Sequence, residues 1–304
     1  MRLVSPDAAI GLAGPWTHRD VAAHGARFHI VEMGQGPAVV LLHGFPGYWW
    51  SWRHQLQALA QAGYRAIAMD LRGYAGSDHT PHGYDPFTLA ADVTSVIRSL
   101  GEQSAVLVGH GWGALIAWTA AVQEPHTVKV VVAVAGPHPK ALRAAAARPW
   151  TAEVSLGYAL GFQLPFWPEH SLTKNDAVRV EHLLRTWSAT PNWPDGHTAS
   201  MYRSAFMRWP TAHTSIEFHR WALRSVLRSD GRRFMSLMRT PVTQDVLMIC
   251  GTHDPMVSTQ CCRASTQWVS GTMQTVEVHA GHFPHEEAPE ECTAALLHWL
   301  AQLH

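Results

Sequence analysis

The residues best suited to chemistry fall at three points of the chain. Gly109-His110-Gly111-Trp112-Gly113 joins the apolar run SAVLV to a helical pattern and has the frame G-x-Nu-x-G. Small residues on either side permit a sharp turn that lifts its middle residue above a sheet, at the start of a helix. Further on, DVLMICGTHDPMV carries Asp254 just past a strand, and VEVHAGHFPHEEAPEE carries His282 just past another. A carboxylate beside an imidazole orients and charges it, and the imidazole then activates a hydroxyl or a water. Taken singly, Asp254 reads equally as a helix cap and His282 as a polar turn. The middle of the glycine-flanked turn is Gly111, which brings no hydroxyl, thiol or carboxylate of its own.

The segments around these residues alternate strand and helix. ARFHIVEMG alternates as a strand; PAVVLLHG, YRAIAMD, SAVLVG and VKVVVAVAG are short, apolar, β-branched runs. Between them HQLQALAQAG, TLAADVTSVIRSLG and WGALIAWTAAVQEP have helical spacing. That alternation predicts an α/β fold with a mostly parallel central sheet and helices on both faces. Open sheets of this kind hold ligands at the carboxyl ends of their strands, where His43-Gly44-Phe45-Pro46 and the Gly109–Gly113 turn both fall. From 140 to 235 the strand signal stops, and helical stretches are broken by Pro, Trp and His, as in FQLPFWPE and TPNWPDG. The code resumes with DVLMICG, MQTVEVHAG and a last helix, CTAALLHWLAQLH. We therefore expect one domain, a core of residues 1–139 and 236–304 interrupted by a helical cap over 140–235.

The totals exclude several classes. Lys plus Arg and Asp plus Glu are 23 each, so there is no basic excess for nucleic acid or an anionic membrane. The longest apolar runs fall short of the ~20 residues a membrane-spanning helix needs, and the first residues lack the apolar centre of a signal peptide. Cys250, Cys261, Cys262 and Cys292 form no CxxC pair and read as reduced thiols of a cytoplasmic protein. The 21 histidines show no metal-ligand spacing, so neither a metal nor an organic cofactor is expected. Many of the 14 tryptophans lie at 49–52 and between Trp150 and Trp221, which suits an apolar pocket as well as an ordinary core.

A nucleophile slot, then an acid, then a histidine is the chain order of α/β hydrolases. In HGFPGYWWSWRHQ, MDLRGYAGSD, VGHGWGA, THDPMV and AGHFPHEEAPEE the sequence resembles the epoxide-hydrolase branch of that superfamily along nearly its whole length. The resemblance implies two cap tyrosines whose hydroxyls pull on the epoxide oxygen: Tyr158 in GYALGFQ and Tyr202 in MYR. It also implies an oxyanion hole built from the backbone N–H groups of Phe45 and Trp112. The related haloalkane dehalogenases usually carry Asn after His-Gly, and Phe45 stands there instead. In the family the turn reads G-H-D-W-G, and the Asp attacks an epoxide carbon to give an ester that water then hydrolyses. Gly111 cannot form that ester.

Three readings of Gly111 stay open. It is a substitution made to trap a ligand; or His282 deprotonates a water directly; or the protein binds without catalysis. Asp70 and Asp78 read as turn caps rather than replacement nucleophiles, and His138 as a turn residue near the cap junction. The expected ligand is a small to mid-sized apolar epoxide or a similar molecule. The sequence leaves the oligomeric state open.

Overall fold

The computed structural model describes residues 3–148, 153–155 and 157–302. Its eight strands are β1 (Thr17–Ala23), β2 (Ala26–Met33), β3 (Ala38–Leu42), β4 (Arg65–Met69), β5 (Ala105–His110), β6 (Val128–Val134), β7 (Asp245–Gly251) and β8 (Met273–Val278). They form one sheet in the order β1-β2-β4-β3-β5-β6-β7-β8. β2 pairs antiparallel with β1 and β4, and every other neighbouring pair is parallel. Every residue of β3 and β5 is buried, as expected of strands covered on both faces.

A short helix, α1 (Pro6–Ile10), lies near the start, and a longer one, α13 (Pro289–Ala301), follows the last strand. Within the first part of the sheet lie α2 (Arg53–Gln61), α3 (Pro86–Ser99) and α4 (Trp112–Gln123). The α3 start is written locally. Asp85 accepts from the N–H groups of Phe87 (3.0 Å) and Thr88 (3.1 Å), with Pro86 at the first helical position. α4 is buried along most of its length, because α3 packs on one side and β5 and β6 on the other.

Among the described residues, six α-helices lie between β6 and β7: α5 (Pro139–Ala146), α6 (Gly157–Gly161), α7 (Trp167–Trp187), α8 (Gly196–Phe206), α9 (Thr211–Arg224) and α10 (Ser229–Leu237). α7 is broken where Asn175, Asp176 and Ala177 adopt positive φ angles of 52°, 56° and 56°. Three such residues in a row cost backbone energy. Arg203 on α8 offsets part of it, donating to the carbonyls of Asp176 (2.8 Å) and Asn175 (3.3 Å). Two short helices, α11 (Thr259–Arg263) and α12 (Pro284–Glu287), complete the fold around β7 and β8. His138 caps α5, its Nδ1 accepting from the Lys140 N–H. Asp70 and Asp78 are turn acids, holding the N–H groups of Trp49 and Gly76 and of Arg27 respectively. All four cysteines are buried free thiols. Among the described residues, no helix is long and apolar enough to cross a membrane.

Candidate active site

The parallel strands β3, β5, β7 and β8 run the same way, so the turns after them share one edge of the sheet. The turn after β5 is tight. A Cβ on Gly109 would lie 2.3 Å from the carbonyl carbon of Gly113, so no larger residue fits. Gly111 sits at the bend with φ 52° and ψ −110°, its N–H bonded to the Val134 carbonyl at 3.0 Å. Leu115 donates back to the Gly111 carbonyl at 3.1 Å and closes the first turn of α4. The bend therefore keeps a sharp strand-to-helix geometry without any side chain at its apex.

Asp254 and His282 meet. His282 Nδ1 lies 2.9 Å from Asp254 Oδ2, and the other carboxylate oxygen accepts from the N–H groups of Met256 (2.7 Å) and Val257 (3.1 Å). The acid is fixed by its own loop before it fixes the imidazole. The second imidazole nitrogen faces the bend, because a Cβ built on Gly111 would lie 3.8 Å from His282 Nε2 and 3.9 Å from Gly44 Cα, with nothing nearer among non-neighbouring residues. The N–H groups of Phe45 and Trp112 have no hydrogen-bond partner among the described residues.

The backbone of His282 is as firmly placed as its ring. Its N–H donates to the Trp187 carbonyl (2.8 Å), and His110 Nε2 donates to the His282 carbonyl (2.8 Å). Burial pushes the His110 imidazole well below its usual pKa, so it serves as a neutral donor. Glu287 contributes the rest, which the sequence did not reveal. Its carboxylate takes the N–H of Gly281 (3.0 Å) and of Phe283 (3.0 Å), the residues on either side of His282. The same carboxylate holds the Ser188 hydroxyl (2.8 Å) and the Ala189 and Thr190 N–H groups, just past α7. One acid thus joins the histidine loop to the inserted helices.

Of the two expected tyrosines, Tyr158 packs on Trp187, whose ring in turn lies 5.8 Å from that of His282. Its ring packs on Trp187 (4.9 Å between centroids) and His219 (5.4 Å), and its hydroxyl has no hydrogen bond among the described residues. Burial holds that hydroxyl well above its usual pKa, so it remains a donor. Tyr202 does not meet the expectation. Its ring packs on Tyr48 and Trp50, and its hydroxyl donates to Glu286, which is also paired with Arg53 at 2.7 Å. A fully buried carboxylate needs every donor it can find, and that need takes up the Tyr202 hydroxyl.

Tyr158 also meets His219 on α9. His219 lies 4.9 Å from Phe45, ring to ring, and accepts the Trp112 indole N–H at Nε2 (3.0 Å) while Nδ1 donates to the Ser215 carbonyl (3.1 Å). Burial lowers its pKa to about 3. Both ring nitrogens are thereby used, and the ring is neutral. EFHRW carries this residue in the sequence, but one histidine among 21 has no distinguishing spacing.

The α/β hydrolase fold family matches residues 37–289. Epoxide hydrolase A of Mycobacterium tuberculosis is 32% identical over 95% of this chain and 99% of its own length. Mouse epoxide hydrolase 4 is 38% identical, but that match spans 54% of this chain and 46% of the relative. Among solved structures, an epoxide hydrolase variant from Bacillus megaterium, complexed with its product (R)-3-[1]naphthyloxy-propane-1,2-diol, superposes with a TM-score of 0.81. It is 26% identical over 93% of this chain and 100% of its own. With an acid and a histidine joined at the strand ends and relatives matched over nearly its full length, the chain belongs to the α/β hydrolase fold family, as an epoxide-hydrolase-like member.

Proposed function

We propose that this protein takes a small to mid-sized apolar epoxide between the sheet edge and the helices of residues 139–237, which act as its lid, and that Gly111 occupies the place of the family's nucleophile. No ester can form at Gly111. Water, deprotonated by His282 with Asp254 behind it, attacks the epoxide carbon directly, and Tyr158 donates to the leaving oxygen. The observation that carries this reading is the His282–Asp254 pair at 2.9 Å, with Nε2 turned toward the space above Gly111. The naphthyl ether diol bound by the Bacillus megaterium relative fits the same size class.

A second reading, a protein that binds such ligands without turning them over, is favoured by Tyr202, whose hydroxyl is spent on Glu286 and leaves one of the two expected phenols. Single-turnover assays with aryl glycidyl ethers in water enriched in heavy oxygen separate the two. Diol carrying solvent oxygen from the first turnover, lost in His282→Gln, supports direct hydrolysis. Saturable binding with no diol supports the second reading.

A further inference from the structure

We infer that the exposed face formed by Leu164, Phe166, Trp167 and Leu227 is a docking surface for an anionic phospholipid bilayer, which the protein meets from one side without crossing. The inference does not depend on what happens at Gly111.

Leu164, Pro165, Phe166 and Trp167 are four consecutive exposed residues, running from the loop after α6 into the first residue of α7. Leu164 is 51% and Phe166 86% exposed, and Leu160 at the end of α6 joins them. A contiguous apolar run in water marks a contact surface. The run is held in place, because buried Arg220 donates to the carbonyls of Phe162 and Leu164, both at 3.0 Å. Phe166 adopts φ 59°, a strained value for an aromatic residue, yet its side chain gains no burial within this chain. A second apolar stretch, Val226 and Leu227, follows α9, and Leu227 is 88% exposed. Arg224 just ahead of it donates to Gln163 Oε1 at 3.2 Å and ties the two stretches together.

Charge selects the occupant. Arg179 lies over the Trp167 ring, 5.2 Å from its centroid, and Arg232 donates to the Leu227 carbonyl at 3.1 Å. Arg179, Arg224 and Arg232 pair with no carboxylate among the described residues. The nearby Glu169 and Glu217 are both held by Arg220, at 2.8 and 2.9 Å, and Asp230 lies 3.7 Å from Arg228. Aromatic and leucine side chains enter the boundary of the acyl chains, while guanidinium groups stay among anionic headgroups. The 23 basic and 23 acidic residues balance over the whole chain, so composition does not reveal this local arrangement. A second copy of the chain is the competing occupant. A symmetric pair would set the same unpaired arginines against each other, which disfavours it.

The test is binding of the folded protein to vesicles of phosphatidylcholine, alone and with phosphatidylserine added, read by co-sedimentation and by the blue shift of tryptophan fluorescence. Partitioning onto the phosphatidylserine vesicles should be about tenfold or more the stronger, and raised salt should erase the difference. Phe166→Ser combined with Leu227→Ser should lower partitioning about tenfold or more. Arg224→Gln combined with Arg232→Gln should remove the preference for phosphatidylserine. All four positions are exposed, so denaturant midpoints should stay unchanged and neither result depends on a misfolded variant. No vesicle binding, equal binding to both compositions, or binding that survives the paired substitutions overturns the inference. A dimer that ignores vesicles and dissociates on Phe166→Ser with Leu227→Ser also overturns it, and gives the face to a second copy.

Discussion

The indole N–H of Trp112 donates to Nε2 of His219 at 3.0 Å, tying the first residue of α4 to α9 in the insertion. Trp112 directly follows Gly111, so this bond ties the bend to the helices between β6 and β7. His219→Phe keeps the ring's volume but strands the indole N–H. It should lower stability by about 1–3 kcal/mol in denaturant unfolding. In a double-mutant cycle with Trp112→Phe the losses should be less than additive. Additive losses would mean that the bond contributes nothing.

His79, His138 and His219 are held neutral, mainly by burial, with pKa values lowered from 6.5 to about 4, 3 and 3. The unfolded chain takes up protons at these sites near pH 6.5, and the folded chain does not. Their contribution to stability is therefore complete above about pH 6.5 and falls as the pH drops toward 4 and then 3. Denaturant midpoints measured from pH 7 to pH 4 should decline, and His219→Phe should flatten the slope. An unchanged slope in that variant would contradict the neutral, buried assignment.

Tyr202 is a structural donor. Tyr202→Phe removes one of the partners of Glu286 and should cost about 1–3 kcal/mol of stability while leaving ligand affinity within about twofold. Arg53→Met removes the only counter-charge paired with the buried carboxylate among the described residues, leaving it the Tyr202 hydroxyl, and should cost about 3–5 kcal/mol. If Tyr202→Phe folded with full stability and lost ligand binding or turnover, its hydroxyl would belong to the site after all.

Glu287 positions His282 through the N–H groups of Gly281 and Phe283, and the insertion through Ser188 and Thr190. Glu287→Gln replaces a full acceptor with half of one and should loosen both segments together. Hydrogen exchange should speed up at residues 188–190 and 281–283 in concert. Faster exchange at only one of the two segments would show that the carboxylate does not couple them.

Much of this architecture was legible. β3 to β7 are short apolar runs because both their faces are covered, and that composition is visible without coordinates. β1 was not read, because Thr17–Ala23 is an edge strand with a mostly exposed, polar pattern. Asp254 and His282 pair because each follows a strand whose end lies on the same edge of the sheet, and both strand ends are visible in the sequence. Tyr202, His219 and Glu287 were misjudged or missed for a different reason. Their roles are set by partners across the fold, as when Tyr202 meets Glu286 and Glu287 meets Ser188, and no local spacing records such pairs.

The most direct test of the account is Gly111→Asp. A Cβ there meets nothing closer than 3.8 Å among non-neighbouring residues, although φ of 52° makes the backbone strained for it and about 1–3 kcal/mol of stability should be lost. Single-turnover kinetics on apolar epoxides, with mass spectrometry of the intact protein, should show an ester adduct on the introduced carboxylate. Diol should follow as the His282–Asp254 pair clears it. A folded Gly111→Asp protein that binds these epoxides yet gives neither adduct nor diol would contradict the claim that Gly111 stands in the nucleophile's place.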